Sequence, residues 1–165
     1  MNQRYQNLIE RIRNEASDLE QVIGRAEQGW SVVQTTPANE RQAFVDSVAL
    51  NLHGFYSGLE RLFALIARQV DLTLPSGATW HRDLLQQMAQ DLPAVRPAVI
   101  SQENAAQLDE FRRFRHLVRN VYTINLTPTK MEGLLRALPL LWSKPRAELL
   151  AFADYLEALA ENLDD

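Results

Sequence analysis

The stretch Tyr5-Gln-Asn-Leu-Ile9-Glu-Arg-Ile12-Arg-Asn-Glu-Ala16-Ser-Asp-Leu19 decides the fold. Tyr5, Ile12, Leu19, Ala26 and Val33 recur seven apart, and Ile9, Ala16, Ile23 and Trp30 fall between them. An apolar residue at every third or fourth position draws a stripe along one side of a helix and leaves the rest polar. The spacing predicts a long helix over residues 3–34.

The same period continues outward. Thr36-Pro37 offers a cap and a proline suited to a first helical turn, and Val45, Val48, Leu52, Phe55, Leu59, Leu62 and Ile66 predict a second helix over 38–70. Thr73-Leu-Pro-Ser-Gly77 reads as a turn. Thr79 then caps a shorter helix carrying Leu84, Leu85 and Met88, which Pro93 and Pro97 are expected to end. Ser101 opens a fourth helix to about Ile124, and Thr127-Pro128 starts a fifth. Pro139 and Pro145 are expected to kink or break this last element near Trp142-Ser-Lys, beyond which Leu149, Phe152, Leu156, Leu159 and Leu163 resume the seam. Neither a strand-like alternation nor an internal repeat is present in the sequence. Long striped helices with short connections must pack side by side. The expected fold is therefore all-α: an antiparallel up-and-down bundle of four main helices plus a shorter one, a single domain over 1–165.

Composition narrows the function. A chain of 165 residues with 46% hydrophobic residues can bury one continuous core. The absence of cysteine excludes disulfides, thiolate nucleophiles and cysteine-bound zinc. No histidines recur at ligand spacing with acidic neighbours, so neither a metal nor a cofactor is expected. Gly-rich phosphate loops and serine-nucleophile motifs are also missing. The apolar runs are short and Met1-Asn-Gln-Arg-Tyr5 lacks a secretory layout, so the expected location is cytoplasmic, away from membranes. A net charge of -4 argues against a general nucleic-acid coat. Contact with nucleic acid would have to come from a local basic patch.

Such a patch lies in Phe111-Arg-Arg-Phe-Arg-His-Leu-Val-Arg-Asn-Val-Tyr122. On a helical wheel with Phe111 at zero, Phe114, Leu117, Val118, Val121 and Ile124 occupy roughly 220° to 340°. Leu108 and Tyr122 extend the apolar arc past Phe111, and Arg115, at roughly 40°, falls inside it. A guanidinium keeps its charge, so a half-buried Arg115 needs a carboxylate, carbonyl or phosphate. Glu60, among the apolar positions of the second helix, is a candidate partner. Arg112 and Arg119 flank Arg115 one turn either side, and His116 lies roughly 100° further round. Several phosphate-binding donors beside an imidazole suit RNA cleavage, which needs a base for the 2′-hydroxyl, an acid for the leaving oxygen and cations for the transition state. The bland alternative is a solvated face paired with Asp109, Glu110 or neighbouring helices. His81, beside Trp80, could add stacking and hydrogen bonding to a cleft or serve only in packing. His53, among core positions, reads as structural.

At these residues the chain resembles the HEPN domains, and within them the HepT-like toxins of toxin–antitoxin pairs, whose motif often reads Arg-Asn-x-x-x-His-x-Tyr. Arg115-His116-Leu-Val-Arg119-Asn120-Val-Tyr122 keeps the Arg and the Tyr in place and exchanges the His and Asn. Gly54-Phe-Tyr-Ser-Gly-Leu-Glu60-Arg61 with Leu65-Ile66, and Trp80-His81-Arg-Asp-Leu-Leu-Gln-Gln-Met88, are similar to the second and third helices of that family, so the likeness covers most of the chain. The resemblance implies a homodimer that sets two such helices at a shared cleft and cuts RNA there without metal. It also implies a nucleotidyltransferase antitoxin as partner, some of which attach AMP to the motif tyrosine. Carried over, Arg115 matches the catalytic arginine and Tyr122 the modifiable tyrosine, while Asn120 takes the place of the histidine. Asparagine can hold a phosphate or hydroxyl but transfers no proton near neutral pH. His116 and Arg119 would assist, and Arg112, Arg115, Arg119 and His81 would contact RNA. Two other readings remain open at this point. One is a non-catalytic helical module that dimerises and binds a nucleotidyltransferase or nucleic acid; the other is a structural bundle in which Glu60 neutralises Arg115.

Overall fold

The computed structural model describes residues 3–120 and 128–162. Within them the chain forms α1 (Gln3–Thr35), α2 (Gln42–Ile66), α3 (Trp80–Met88), α4 (Gln102–Asn120) and α5 (Pro128–Asn162). The bundle is all-α, with four long helices and a short one, and no strand among the described residues. α1 lies against α2 and α5, α4 packs on α2 and α5, and α3 closes over α2 and α4. No helix among the described residues is long and apolar enough to cross a membrane.

The predicted seams form the core. Ile9, Ile12, Ala16, Leu19, Ile23, Ala26 and Val33 of α1 are buried, as are Val45, Val48, Leu52, Phe55, Leu59, Leu62 and Ile66 of α2. Each large side chain of this kind contributes roughly 1.5–3 kcal/mol by leaving water. Phe55 stands at the centre, meeting the Phe111 ring edge-on at 5.6 Å and the Trp142 ring at 5.4 Å. One side chain thereby locks α2 to both α4 and α5.

Several boundaries differ from expectation, each for a local reason. Thr36 does not cap α2: its hydroxyl donates back to the Val32 carbonyl at 2.6 Å, closing the end of α1. Pro37 accepts from the Glu40 amide in a turn, and α2 starts only at Gln42. The far end of α2 widens into a π-helical turn, Ala67–Asp71, stopped by Leu72 in the left-handed region at φ 58°. Thr79 makes no backbone cap on α3; its hydroxyl donates to Asp83 at 2.8 Å. α3 ends at Met88, ahead of both Pro93 and Pro97, because the Met88 carbonyl is taken by the amides of Val99 and Ile100. Ser101 does cap α4, its hydroxyl accepting from the Asn104 amide at 3.1 Å. α4 is described to Asn120, so its expected extension to Ile124 lies outside the described residues.

Pro139 and Pro145 do not break α5, which runs unbroken from Pro128 to Asn162. Each proline removes one backbone hydrogen bond. Leu135, Leu138, Trp142, Leu149, Phe152 and Leu156 nevertheless stay buried in one stripe across both positions. Burial of that continuous stripe outweighs two missing bonds.

A buried ion pair stitches the loop after α3 to the π turn. Arg96 Nε and Nη2 donate to Asp71 Oδ1 and Oδ2 at 2.5 and 2.7 Å, with both side chains sealed from solvent. The remaining guanidinium hydrogens go to the carbonyls of Gln87, Gln90 and Pro97. Every charge-bearing edge of Arg96 is thus satisfied, as burial requires.

Candidate functional site

The arginine-rich helix is anchored through Leu108, Phe111 and Phe114, which are all buried. That anchoring fixes which way each cation points. Arg115 falls on the edge facing α2, with its side chain 15% exposed, as its place in the apolar arc predicts. Its Nε donates to Ser57 Oγ at 2.8 Å, and its Nη2 lies 3.7 Å from Glu60 Oε1. The demand for a partner, inferred from the wheel, is met by these two residues of α2.

Arg112 and Arg113 share another carboxylate. Arg112 Nε donates to Asp109 Oδ1 at 2.6 Å, and Arg113 Nε lies 2.9 Å from Asp109 Oδ2. The two side chains are 20% and 72% exposed, so Arg113 reaches well into solvent while Arg112 lies closer in. Pairing one turn away on the same helix orients them without neutralising more than one charge.

Both arginines, with His116, form one wall of a cleft of 570 Å³ between α4 and the start of α3. Trp80, His81 and Arg82 supply the facing wall. His81 is held from two sides. Its Nδ1 is 2.7 Å from Glu60 Oε2, and its ring lies 3.7 Å from that of Trp80 at a tilt of 30°. Glu60, only 4% exposed, therefore serves α3 through one oxygen and approaches Arg115 of α4 with the other. Beneath it lies the Tyr56 phenol, whose pKa is pushed far up by burial and by the negative charges of Glu60 and Asp109, against the lowering effect of Arg112 and Arg115. A neutral phenol is the form that this position holds.

The fold thus brings together Arg112, His81 and His116, three of the residues singled out in the sequence, and places Arg115 behind Glu60 on the α2 side. Arg119 and Asn120 belong to the last turn of α4, but their side chains, together with Tyr122, lie outside the described residues. His53 is half-buried on α2 and is not among the residues that line the cleft. Arg82 and Arg113 were not assigned from sequence, since neither occupies a motif position. The adjacency of Trp80 and His81 and the unbroken Arg112-Arg113 pair were the available signals. Among the described residues no group of three or more His, Asp or Glu side chains is placed to hold a metal ion.

The arrangement has three chemical capacities: cations for a phosphate, an indole face for stacking, and two imidazoles for proton exchange. A family model described as HepT-like protein matches residues 47–156. No curated protein and no solved structure matches the chain. The family match spans well over half of the chain and includes Glu60, the whole cleft and the arginine-rich helix, and the chain therefore belongs to the HepT-like family of HEPN proteins.

Proposed function

We propose that the protein is a toxin-type endoribonuclease, one HEPN domain over residues 1–165 that acts as a homodimer in the cytoplasm and cuts RNA without metal or cofactor. Its partner is a nucleotidyltransferase antitoxin. The observation that carries this reading is the cleft, where Arg112, Arg113, His81 and His116 share one space within a HepT-like chain. Arg112 and Arg113 draw a phosphodiester in, and Trp80 offers a face on which a base can stack. By the motif Arg115 is the principal phosphate-binding residue, which requires a substrate phosphate to reach it beside Ser57 and Glu60, outside the lining of the cleft; Arg119 adds charge, Asn120 positions the substrate, and Tyr122 is the regulatory tyrosine open to AMP transfer.

A direct measurement decides it: cleavage of RNA by the purified protein and by Arg115→Ala. A loss of activity in the variant supports the reading, and equal activity in both overturns it. An intact-mass shift on Tyr122 after mixing with a nucleotidyltransferase and ATP tests the regulatory part.

One observation favours a second reading, a non-catalytic module that dimerises and binds a nucleotidyltransferase or nucleic acid. Asn120 stands where the motif carries its histidine, and an amide transfers no proton. This reading predicts no turnover and no toxicity on expression, with a stable complex on co-purification.

A further inference from the structure

We propose that His81, oriented by Glu60, is the general base of the cleft and that His116 on the opposite wall is its general acid, so that proton transfer here bypasses the Asn120 position. The assignment rests on the ribonuclease reading and deepens it.

An ionised carboxylate can only accept a hydrogen bond, so in the neutral imidazole the tautomer that fits the 2.7 Å contact between Glu60 Oε2 and His81 Nδ1 carries its proton on Nδ1. Nε2 is then left with its lone pair, the form a base requires. Glu60 is itself held. It is 4% exposed, and its second oxygen lies 3.7 Å from Arg115, whose Nε is bound by Ser57. The Trp80 ring, 3.7 Å away, covers one face of the imidazole and limits its rotation. Glu60 of α2 and the neighbouring Trp80 ring of α3 thus hold His81 directly, and Arg115 of α4 approaches the far oxygen of Glu60.

The residues opposite complete the chemistry. His116 lines the same cleft, on the wall that carries Arg112 and Arg113. With an RNA phosphodiester held by those arginines, His81 Nε2 takes the proton of the ribose 2′-hydroxyl. The 2′-oxygen bonds to phosphorus, the bond from phosphorus to the 5′-oxygen breaks, and protonated His116 gives its proton to the departing 5′-oxygen. The products are a 2′,3′-cyclic phosphate and a 5′-hydroxyl. Exchange with water then returns each imidazole to its starting form, with no metal and no covalent enzyme intermediate.

The test uses His81→Asn, whose amide nitrogen can keep the hydrogen bond to Glu60 while Nε2 is lost. Three substrates are compared: a mixed-sequence single-stranded RNA, its 2′-deoxy counterpart as a binding probe, and the same RNA with sulfur in place of the 5′-oxygen at the mapped cut, a leaving group that needs no acid. A general base accounts for about 10²–10⁴-fold in rate. The expected result is a loss of this size for His81→Asn on both cleavable substrates, with affinity for the 2′-deoxy strand within about threefold of wild type. His116→Asn should lose activity on the RNA and regain it on the sulfur-containing strand. Cleavage by His81→Asn at the wild-type rate overturns the dyad and leaves the ribonuclease reading intact. So does a parallel loss of 2′-deoxy binding, which assigns His81 to binding, and so does rescue of His81→Asn by sulfur, which makes it an acid. If wild type cuts no RNA, the ribonuclease reading and this assignment fall together. If His81→Asn loses its helical circular dichroism, Glu60→Gln gives the answer: slower cleavage with 2′-deoxy binding kept supports the dyad, and an unchanged rate overturns it.

Discussion

Glu60 and Arg115 approach to 3.7 Å across the interface of α2 and α4, with side chains 6% and 15% exposed. Removing a buried carboxylate costs more than the bond it made, because the cation left behind cannot shed its charge. Glu60→Ala should therefore destabilise the protein by about 2–4 kcal/mol, lowering Tm by roughly 5–15 °C. Ser57 Oγ, still 2.8 Å from Arg115 Nε, keeps the cost from being larger. Thermal unfolding followed by circular dichroism checks this, and a change under about 2 °C, which for a chain of this size is less than about 1 kcal/mol, would show Arg115 to be satisfied without the carboxylate.

Asp71 and Arg96 make a tighter pair, two hydrogen bonds with almost no solvent contact. Asp71→Ala should cost about 3–5 kcal/mol, near the top of the range for point substitutions. Arg96→Met should cost less, because the aliphatic side chain refills part of the volume, the Asp71 carboxylate left behind keeps its hydrogen bond from Gln87 Nε2, and a carboxyl group, unlike a guanidinium, can be neutralised. Urea unfolding of the two variants measures the order; Arg96→Met as the more damaging change contradicts it.

Tyr56 gives the fold an alkaline limit. Burial first, then Glu60, pushes its pKa far above the unfolded value of about 10. The sign follows from proton counting: above pH ~10 the unfolded chain releases this proton and the folded chain keeps it, so stability is complete below that pH and falls as it rises, by about 1.4 kcal/mol per pH unit. Tyr56→Phe removes the contribution. Urea midpoints collected between about pH 9 and 11 should fall more steeply for wild type than for the variant, and parallel slopes would place the phenol in contact with solvent.

Pro139 is exposed inside a continuous helix, where it costs a hydrogen bond to the Leu135 carbonyl and contributes no burial. Pro139→Ala should restore that bond and stabilise the protein by about 1–3 kcal/mol, part of the gain being offset by a more flexible unfolded chain. Tm should rise by roughly 3–10 °C. A fall in Tm would mean that α5 needs the proline.

The helices were legible because their signal is local and repeated. The seam from Tyr5 to Val33 can be buried only as a helix, and α1 ends within a residue of its expected limit. Boundaries set by competition were less legible. Whether Thr36 closes α1 or opens α2 depends on which carbonyl its hydroxyl reaches, and the π turn that presents Asp71 has no sequence period of its own. The prolines of α5 misled for a related reason, since their cost is local and the burial that outweighs it is spread along the helix.

The site divides in the same way. From its place on the wheel, sequence by itself determined that Arg115 would be half-buried and in need of a partner, because the angle between residues of one helix is set by backbone geometry. It also made Glu60 a candidate for that role. Only the tertiary structure decided that the same carboxylate is shared with His81, and that His81 faces His116, Arg112 and Arg113 across one cleft. Those relationships depend on how α2, α3 and α4 cross, which follows from the packing of Phe55, Phe111 and their neighbours and from no interval along the chain.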